Sequence, residues 1–274
     1  MDFEWIVIND GSTDATEETV RTWMEMSLFP IRYYRQERGG KYRAYNVALI
    51  MAKGDYFVTL DSDDYFLPYS IEQFYEVIPA IEMEKNCCGC IALKQYEDGR
   101  IVGTELPQQP PYITLYALNN IGYGGERTLL YKTNILRRFP FPEVENEIFV
   151  TEAVVYDQLD TYYTCFLYNR PLQVYERQKD GMTANFFWYM RNSPTGFKVF
   201  YRKRIDLATS FRERVGYVLR YHAFRCLSKS KHYNYNGQHS ALVNLLSPCG
   251  ILLKCYYRIR MGYAIHVSGT LAYV

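Results

Sequence analysis

Three carboxylates fall within four residues at the end of an apolar run, where Tyr56-Phe57-Val58-Thr59-Leu60 leads into Asp61-Ser62-Asp63-Asp64. In an extended chain residues i and i+2 point to the same side, so Asp61 and Asp63 can face one ligand together. Such carboxylates repel one another unless a cation lies between them. All-oxygen ligands suit Mg²⁺ or Mn²⁺, whose shell is completed by water and substrate phosphates. Asp61, Asp63 and Asp64 are therefore the candidate metal ligands. An Asp-x-Asp by itself is common, and an acidic loop capping a helix reads the same way. A second carboxylate, Asp10, ends an earlier apolar run and could accept from a nucleobase N–H or a ribose hydroxyl. Asn9-Asp10-Gly11 is also an ordinary turn former. Between these acidic sites lies Gly39-Gly40-Lys41-Tyr42-Arg43-Ala44. Backbone N–H groups at a helix start, with Lys41 and Arg43, could hold a diphosphate. The loop is not a P-loop, because its second glycine is followed by Lys-Tyr and the upstream glycine is missing.

Positioning these groups requires alternating strands and helices. Phe3–Ile8 fits a strand buried on both faces. Asp14 with Glu17 three residues later predicts a helix N-cap and its reciprocal partner, with the helix running to about Met26. A strand at Ile31–Tyr34 follows. Ala44, Val47, Ala48 and Met51 repeat as one buried helical stripe, and Lys53 and Gly54 close that helix. Tyr56–Leu60 is the next strand, Ser70 to about Glu84 a helix, and Cys90–Leu93 a strand. Further on, Glu152–Asp160 reads as helix and Arg170–Tyr175 as strand. This alternation predicts an α/β, doubly wound, largely parallel sheet with its ligands at the carboxyl ends of the strands. Residues 100–150 carry five prolines and read as loops with short strands, some antiparallel.

Composition narrows the function classes. With 48% hydrophobic residues and 28 tyrosines among 274, the chain is neither disordered nor fibrous. Its net charge of +1 hides an asymmetry: residues 189–274 hold 14 Lys+Arg against 2 Asp+Glu, and the rest hold 17 against 28. A basic tail on an acidic body points to an anionic partner. Of seven cysteines, at 87, 88, 90, 165, 226, 249 and 255, the cluster Cys87, Cys88 and Cys90 lacks zinc-site spacing and reads as buried free thiols on a strand, a usage that fits a reducing cytoplasm. All four histidines lie at or beyond His222, away from the acidic motifs. The start lacks the features of a signal peptide, and Ala241–Leu253 falls short of the roughly 20 apolar residues a spanning helix needs.

Taken in order, Asn9-Asp10-Gly11-Ser12-Thr13-Asp14, Gly39-Gly40-Lys41-x-Arg43-Ala44-x-Asn46, and Gly54-Asp55-Tyr56-Phe57 leading to Leu60-Asp61-Ser62-Asp63-Asp64 resemble the family 2 glycosyltransferases. The run Phe149–Gln158 resembles that family's acceptor-side block, and Asn192–Gly196 resembles one bacterial subgroup of polysaccharide type. The resemblance covers roughly residues 3–200. It implies a GT-A fold, a Rossmann-like mixed sheet here carrying a basic helical C-terminal extension, with a domain over 1–190 and the extension over 191–274. It also implies inverting transfer of a sugar from a nucleoside-diphosphate donor, usually a UDP-sugar, to a hydroxyl of a glycan or lipid-linked acceptor. Carried over by residue, Asp10 contacts the nucleobase and Asp61 also faces the nucleotide. Asp63 is the principal metal ligand, Asp64 assists, and Glu152 is the general base.

Two departures stand out. The chain opens at what is the family's second strand, which would leave unpaired backbone groups in the sheet. Tyr45 stands where many relatives have arginine. The rival reading is therefore a truncated, inactive relative acting at a membrane surface. A sugar nucleotidyltransferase is disfavoured, since no glycine-rich nucleotide loop opens the first unit. In the tail, Lys198, Tyr201, Arg202, Lys203, Arg204, Phe211, Arg212, Arg214, Tyr217, Arg220, Tyr221 and Arg225 interleave charge and aromatics. That pattern suits a helix lying on an anionic membrane, at the inner face if the protein is cytoplasmic. No recognised motif supports nucleic acid.

Overall fold

The computed structural model describes residues 3–176, 178, 181 and 185–271, with side chains as far as Met261. The chain forms two compact units. Unit 1 comprises residues 1–37, 44–140 and 155–178, and unit 2 comprises residues 38–43, 141–154 and 179–274. The division differs from a single boundary near residue 190, because two short excursions from the first half of the chain, 38–43 and 141–154, pack with the C-terminal helices.

Unit 1 begins with strand β1 (Trp5–Asp10), helix α1 (Thr16–Met26) and strand β2 (Ile31–Gln36). β1 and β2 pair in parallel, with Trp5 opposite Ile31 and Asp10 opposite Gln36. Helix α2 (Lys41–Met51), strands β3 (Tyr56–Val58) and β4 (Tyr65–Phe66), helix α3 (Ser70–Met83) and strand β5 (Cys87–Gln95) follow. Strand β6 (Tyr112–Ile113), helix α4 (Leu115–Asn120), strand β7 (Arg127–Lys132), helices α5 (Thr133–Leu136) and α6 (Ala153–Leu159), and strand β8 (Thr164–Val174) complete it. Among the described residues a second sheet runs β3-β7-β5-β8-β4, with β6 also on β8. The β5–β8 pair is parallel and the remaining pairs of that sheet are antiparallel. The sheet is thus mixed, less parallel than the alternation of elements predicts, because β7 and β4 enter against their neighbours.

The two sheets are separate. β1 has β2 as its strand neighbour and β3 has β7, so each strand is paired along one edge among the described residues. This explains why the β1 run is only half-buried apart from Asn9, where burial on both faces is predicted. The small sheet is tied to the turn before β3 by Glu4. Its carboxylate accepts from the N–H of Lys53 (2.6 Å) and of Gly54 (3.3 Å) and pairs with Arg32 (2.9 Å).

Two helix readings change. α1 starts at Thr16, and Asp14 accepts from the Thr16 N–H in a local turn. Glu17 is drawn to Arg21 and Arg35 rather than back to the cap. In α2 the buried positions are Tyr42, Tyr45 and Leu49, followed by Ala52, not the Ala44, Val47, Ala48 and Met51 stripe. The tyrosine rings bury more apolar area than the alanines, so the helix turns that face inward. Tyr45 meets Phe57 edge-on at 5.4 Å, which makes it a core residue. The C-terminal carbonyls of α2 are taken by Arg32 on Met51 and by Arg137 on Leu49 and Ala52, in place of the predicted Lys53–Gly54 ending. Cys87, Cys88 and Cys90 are free and buried on β5, as the sequence predicts, and burial pushes the Cys90 thiol up.

Unit 2 is built on helices α7 (Phe186–Asn192), α8 (Pro194–Leu207), α9 (Phe211–Leu227), α10 (Ser240–Leu245) and α11 (Ser247–Leu271). Its core joins Met190, Phe197, Tyr201, Ile205, Tyr221, Phe224 and Tyr257. Tyr201 and Tyr221, predicted to alternate with charge on a membrane-facing helix, are therefore interior. Lys198 is buried as well, its ammonium donating to the carbonyls of Ser230 (3.1 Å) and His232 (2.5 Å). His222 is a satisfied core histidine on the Val243 carbonyl at 2.6 Å, and burial lowers its pKa. Among the described residues no helix is long and apolar enough to cross a membrane.

Candidate active site

β3 ends at Val58, and the chain turns through Asp61–Asp64 before β4. The turn is closed by the Asp64 N–H on the Asp61 carbonyl at 3.0 Å. Upstream, the Gln173 side chain donates to the Thr59 carbonyl at 2.7 Å, which fixes the exit from β3. Asp61 and Asp63 are half-buried, whereas Asp64 is buried. Both oxygens of Asp64 are engaged: Oδ2 lies 2.7 Å from Lys94 Nζ, and Oδ1 accepts the Glu176 N–H at 3.1 Å. Asp64, expected beside its neighbours on a cation, instead turns inward to a buried counter-charge. Asp10 ends β1, and its Oδ1 accepts from the Gln36 side chain at 2.6 Å.

The glycine loop is held by contacts with residues far along the chain. Gly40 has φ +94°, and a Cβ there would stand 1.9 Å from the Ile148 carbonyl oxygen. The missing side chain thus admits another stretch of backbone. Within unit 2 the hydroxyl hydrogen of Tyr42 is shared between the carbonyls of Val144 (3.1 Å) and Glu147 (3.0 Å). Arg43, predicted to hold a diphosphate, donates through Nη2 to the Val144 carbonyl at 2.7 Å. Glu147 in turn accepts from the N–H groups of Thr195 and Gly196, both at 2.9 Å, at the start of α8. Burial raises the Glu147 pKa and outweighs the lowering effect of these donors. Gly196 packs as tightly, since a Cβ there would lie 2.4 Å from the Phe149 carbonyl oxygen.

This clamp holds the segment that delivers Glu152 to the residue before α6. Glu152 Oε1 lies 2.6 Å from Lys41 Nζ, with the two side chains 40% and 34% exposed. Lys41 and Glu152, read from the sequence as a phosphate ligand and a base, are therefore ion-paired. An exposed pair of this kind is worth about 0–1 kcal/mol.

Sequence reasoning missed Lys94, Glu147 and Tyr42. Lys94 carried a usable signal, a lone cation at the end of the apolar strand Cys87–Leu93. Glu147 carried none, since its partners are 48 and 49 residues away.

For a divalent cation, the candidate donors on this turn are the half-buried carboxylates of Asp61 and Asp63. That set fits Mg²⁺ or Mn²⁺ only if phosphates and water supply the remaining positions. Among the described residues no group of three or more His, Cys, Asp or Glu forms a cage.

Comparison with known proteins agrees with the fold. Poly(ribitol-phosphate) beta-N-acetylglucosaminyltransferase TarS of Staphylococcus aureus (strain MW2) is 27% identical over 159 residues, 56% of this chain and 27% of the relative. Glycosyltransferase GlyA of Streptococcus pneumoniae serotype 4 is 39% identical over 75 residues, 27% of this chain and 11% of the relative. The chain thus spans well under half the length of either. The crystal structure of S. aureus TarS 1–349 in complex with UDP-GlcNAc superposes with a TM-score of 0.56 at 17% identity, covering 96% of this chain and 82% of that one. This likeness establishes the mixed α/β GT-A architecture. The family model for glycosyl transferase family 2 matches residues 1–144, more than half of the chain, and the chain belongs to that family.

Proposed function

We propose that this chain transfers a sugar from a UDP-sugar to a hydroxyl of a glycan or lipid-linked acceptor, with inversion and with Mg²⁺ or Mn²⁺. The observation that carries the reading is the Asp61–Asp64 turn after β3, half-buried at Asp61 and Asp63 and anchored from behind at Asp64. Further support comes from the family match and from a fold-mate crystallised with UDP-GlcNAc. Asp61 and Asp63 would hold the cation, which when bound offsets the charge on the departing diphosphate. Asp10 would take the nucleobase.

Lys41 remains the candidate phosphate ligand, and Glu152 is assigned as the base that accepts the acceptor hydroxyl's proton. Arg43 is assigned to the clamp, through Val144, rather than to phosphate. Glu152→Gln is expected to slow turnover by about 10²–10⁴-fold with little change in UDP affinity. The test follows UDP release from UDP-sugars with Mn²⁺ and oligosaccharide acceptors. Equal turnover in the variant and the parent protein would remove Glu152 from the base role.

The break between the β1–β2 pair and the larger sheet favours the rival reading, a non-catalytic relative. Folded protein that neither binds UDP nor releases it from a UDP-sugar would overturn the transferase reading for the chain and favour that alternative, an inactive relative acting at a membrane surface.

The basic tail is proposed to meet an anionic lipid surface, through groups other than the interior tyrosines. After Glu213 the sequence holds eight Lys or Arg and no acid. Leu252, Tyr256 and Ile259 are exposed at helical spacing along α11, and Leu245 is exposed at the end of α10. Co-sedimentation with phosphatidylglycerol-rich vesicles should be strong at about 0.1 M salt and largely lost near 1 M, as the Debye length falls from ~10 to ~3 Å. Equal binding to phosphatidylcholine alone would argue against this partner.

A further inference from the structure

Lys94 is a cation inside the sheet. Every residue of β5 from Cys87 to Lys94 is buried, and the Lys94 side chain is 7% exposed. Its ammonium meets the Asp64 carboxylate, 1% exposed, at 2.7 Å. The ammonium also lies 5.9 Å from the centre of the Tyr175 ring, which Tyr96 meets edge-on. Tyr175 is fixed in turn by its N–H on the Gln95 carbonyl at 2.7 Å. Lys94 therefore stands in a built socket of strand backbone, one aromatic ring and one carboxylate, in contrast to the half-exposed Lys41–Glu152 pair.

A buried ion pair is weak evidence for stability, because desolvation offsets most of the attraction. Its retention calls for another reason, and its position supplies one. Asp64 is the last residue of the turn that carries Asp61 and Asp63, and its N–H closes that turn on Asp61. With both carboxylate oxygens held, by Lys94 and by the Glu176 N–H, Asp64 cannot swing outward without leaving a buried cation unpaired.

We propose that Lys94 is a positioning residue for the donor site: by internalising Asp64 it sets the orientation of the turn, so that Asp61 and Asp63 alone are presented to the metal–diphosphate. This rests on the reading that Asp61 and Asp63 hold the cation. The lysine then does two things: it fixes the direction of the turn and excludes a third carboxylate from the cation's shell. Excluding that carboxylate keeps coordination positions open for phosphate oxygens.

The test titrates UDP into the full chain with and without Mn²⁺, alongside thermal unfolding, for Asp63→Ala, Lys94→Met, Asp64→Asn and the double variant Lys94→Met/Asp64→Asn. Outer groups that orient metal ligands are typically worth about 10–100-fold in affinity, and a loss of that size is expected for Lys94→Met in the Mn²⁺-dependent part of binding. Lys94→Met and Asp64→Asn should each lower the unfolding temperature, and the double variant, with no unpaired charge, should recover much of it. Its Mn²⁺-dependent affinity should stay low, which a merely structural pair would not produce. If Asp63→Ala binds UDP–Mn²⁺ normally, the metal site itself is misassigned and the inference falls with it. If Asp63→Ala loses binding while folded Lys94→Met keeps it, only the positioning role is overturned. Joint recovery of stability and affinity in the double variant would equally overturn it.

Discussion

Asp63→Ala is expected to abolish Mn²⁺-dependent binding of UDP while leaving the fold intact. The residue is half-buried on a turn whose shape is set elsewhere, by the Asp64 N–H on Asp61 and by Gln173 on Thr59. Removing its carboxylate should therefore leave the backbone in place, with a change in unfolding temperature of a few degrees at most. The effect on binding is large for a different reason. If Asp61 and Asp63 hold the cation as proposed, loss of one carboxylate halves their share of the coordination shell. Groups that merely orient a metal ligand are worth about 10–100-fold, so loss of the ligand itself should exceed about 100-fold. Calorimetric titration of UDP with and without Mn²⁺ reads this directly. Binding that is equally strong with and without Mn²⁺, in both proteins, would mean that UDP is held by the protein alone.

Gly40→Ala should produce the largest loss of stability. At φ +94° an L-residue is strained by about 1–2 kcal/mol, and the added Cβ would stand 1.9 Å from the Ile148 carbonyl oxygen. Backbone on both sides cannot yield as a side chain would, and overpacking of this kind costs a further ~1–3 kcal/mol. A total of about 2–5 kcal/mol corresponds to a drop of roughly 4–20 °C in the unfolding of a chain this size. Gly39→Ala provides the contrast. There the new Cβ meets only the side chain of Arg43, at 2.8 Å, and a flexible side chain can move. If Gly40→Ala melted no lower than Gly39→Ala, the close approach to Ile148 would not limit stability.

These two positions mark the line between what the sequence by itself determined and what only the tertiary structure decided. The order of elements through β5 (save the two-residue strand β4), the acidic turn after a strand, the buried thiols of β5 and the basic tail were legible, because each depends on neighbours in sequence. A strand followed by Asp-Ser-Asp-Asp presents carboxylates at a strand end whatever the rest of the chain does. The fate of each charged group was not legible, since it depends on partners far along the chain. Asp64 found Lys94, 30 residues on, and Glu152 found Lys41. Arg43 found a carbonyl 101 residues away. The glycine loop reads as a phosphate cradle from its composition, yet Gly40 is needed for a backbone contact with a segment that no local pattern could identify. Burial in α2 followed the tyrosines rather than the smaller residues, because packing rewards the larger apolar area once a partner surface exists. Local spacing thus fixes which groups can share a face; desolvation and long-range pairing determine which of them remain available for chemistry.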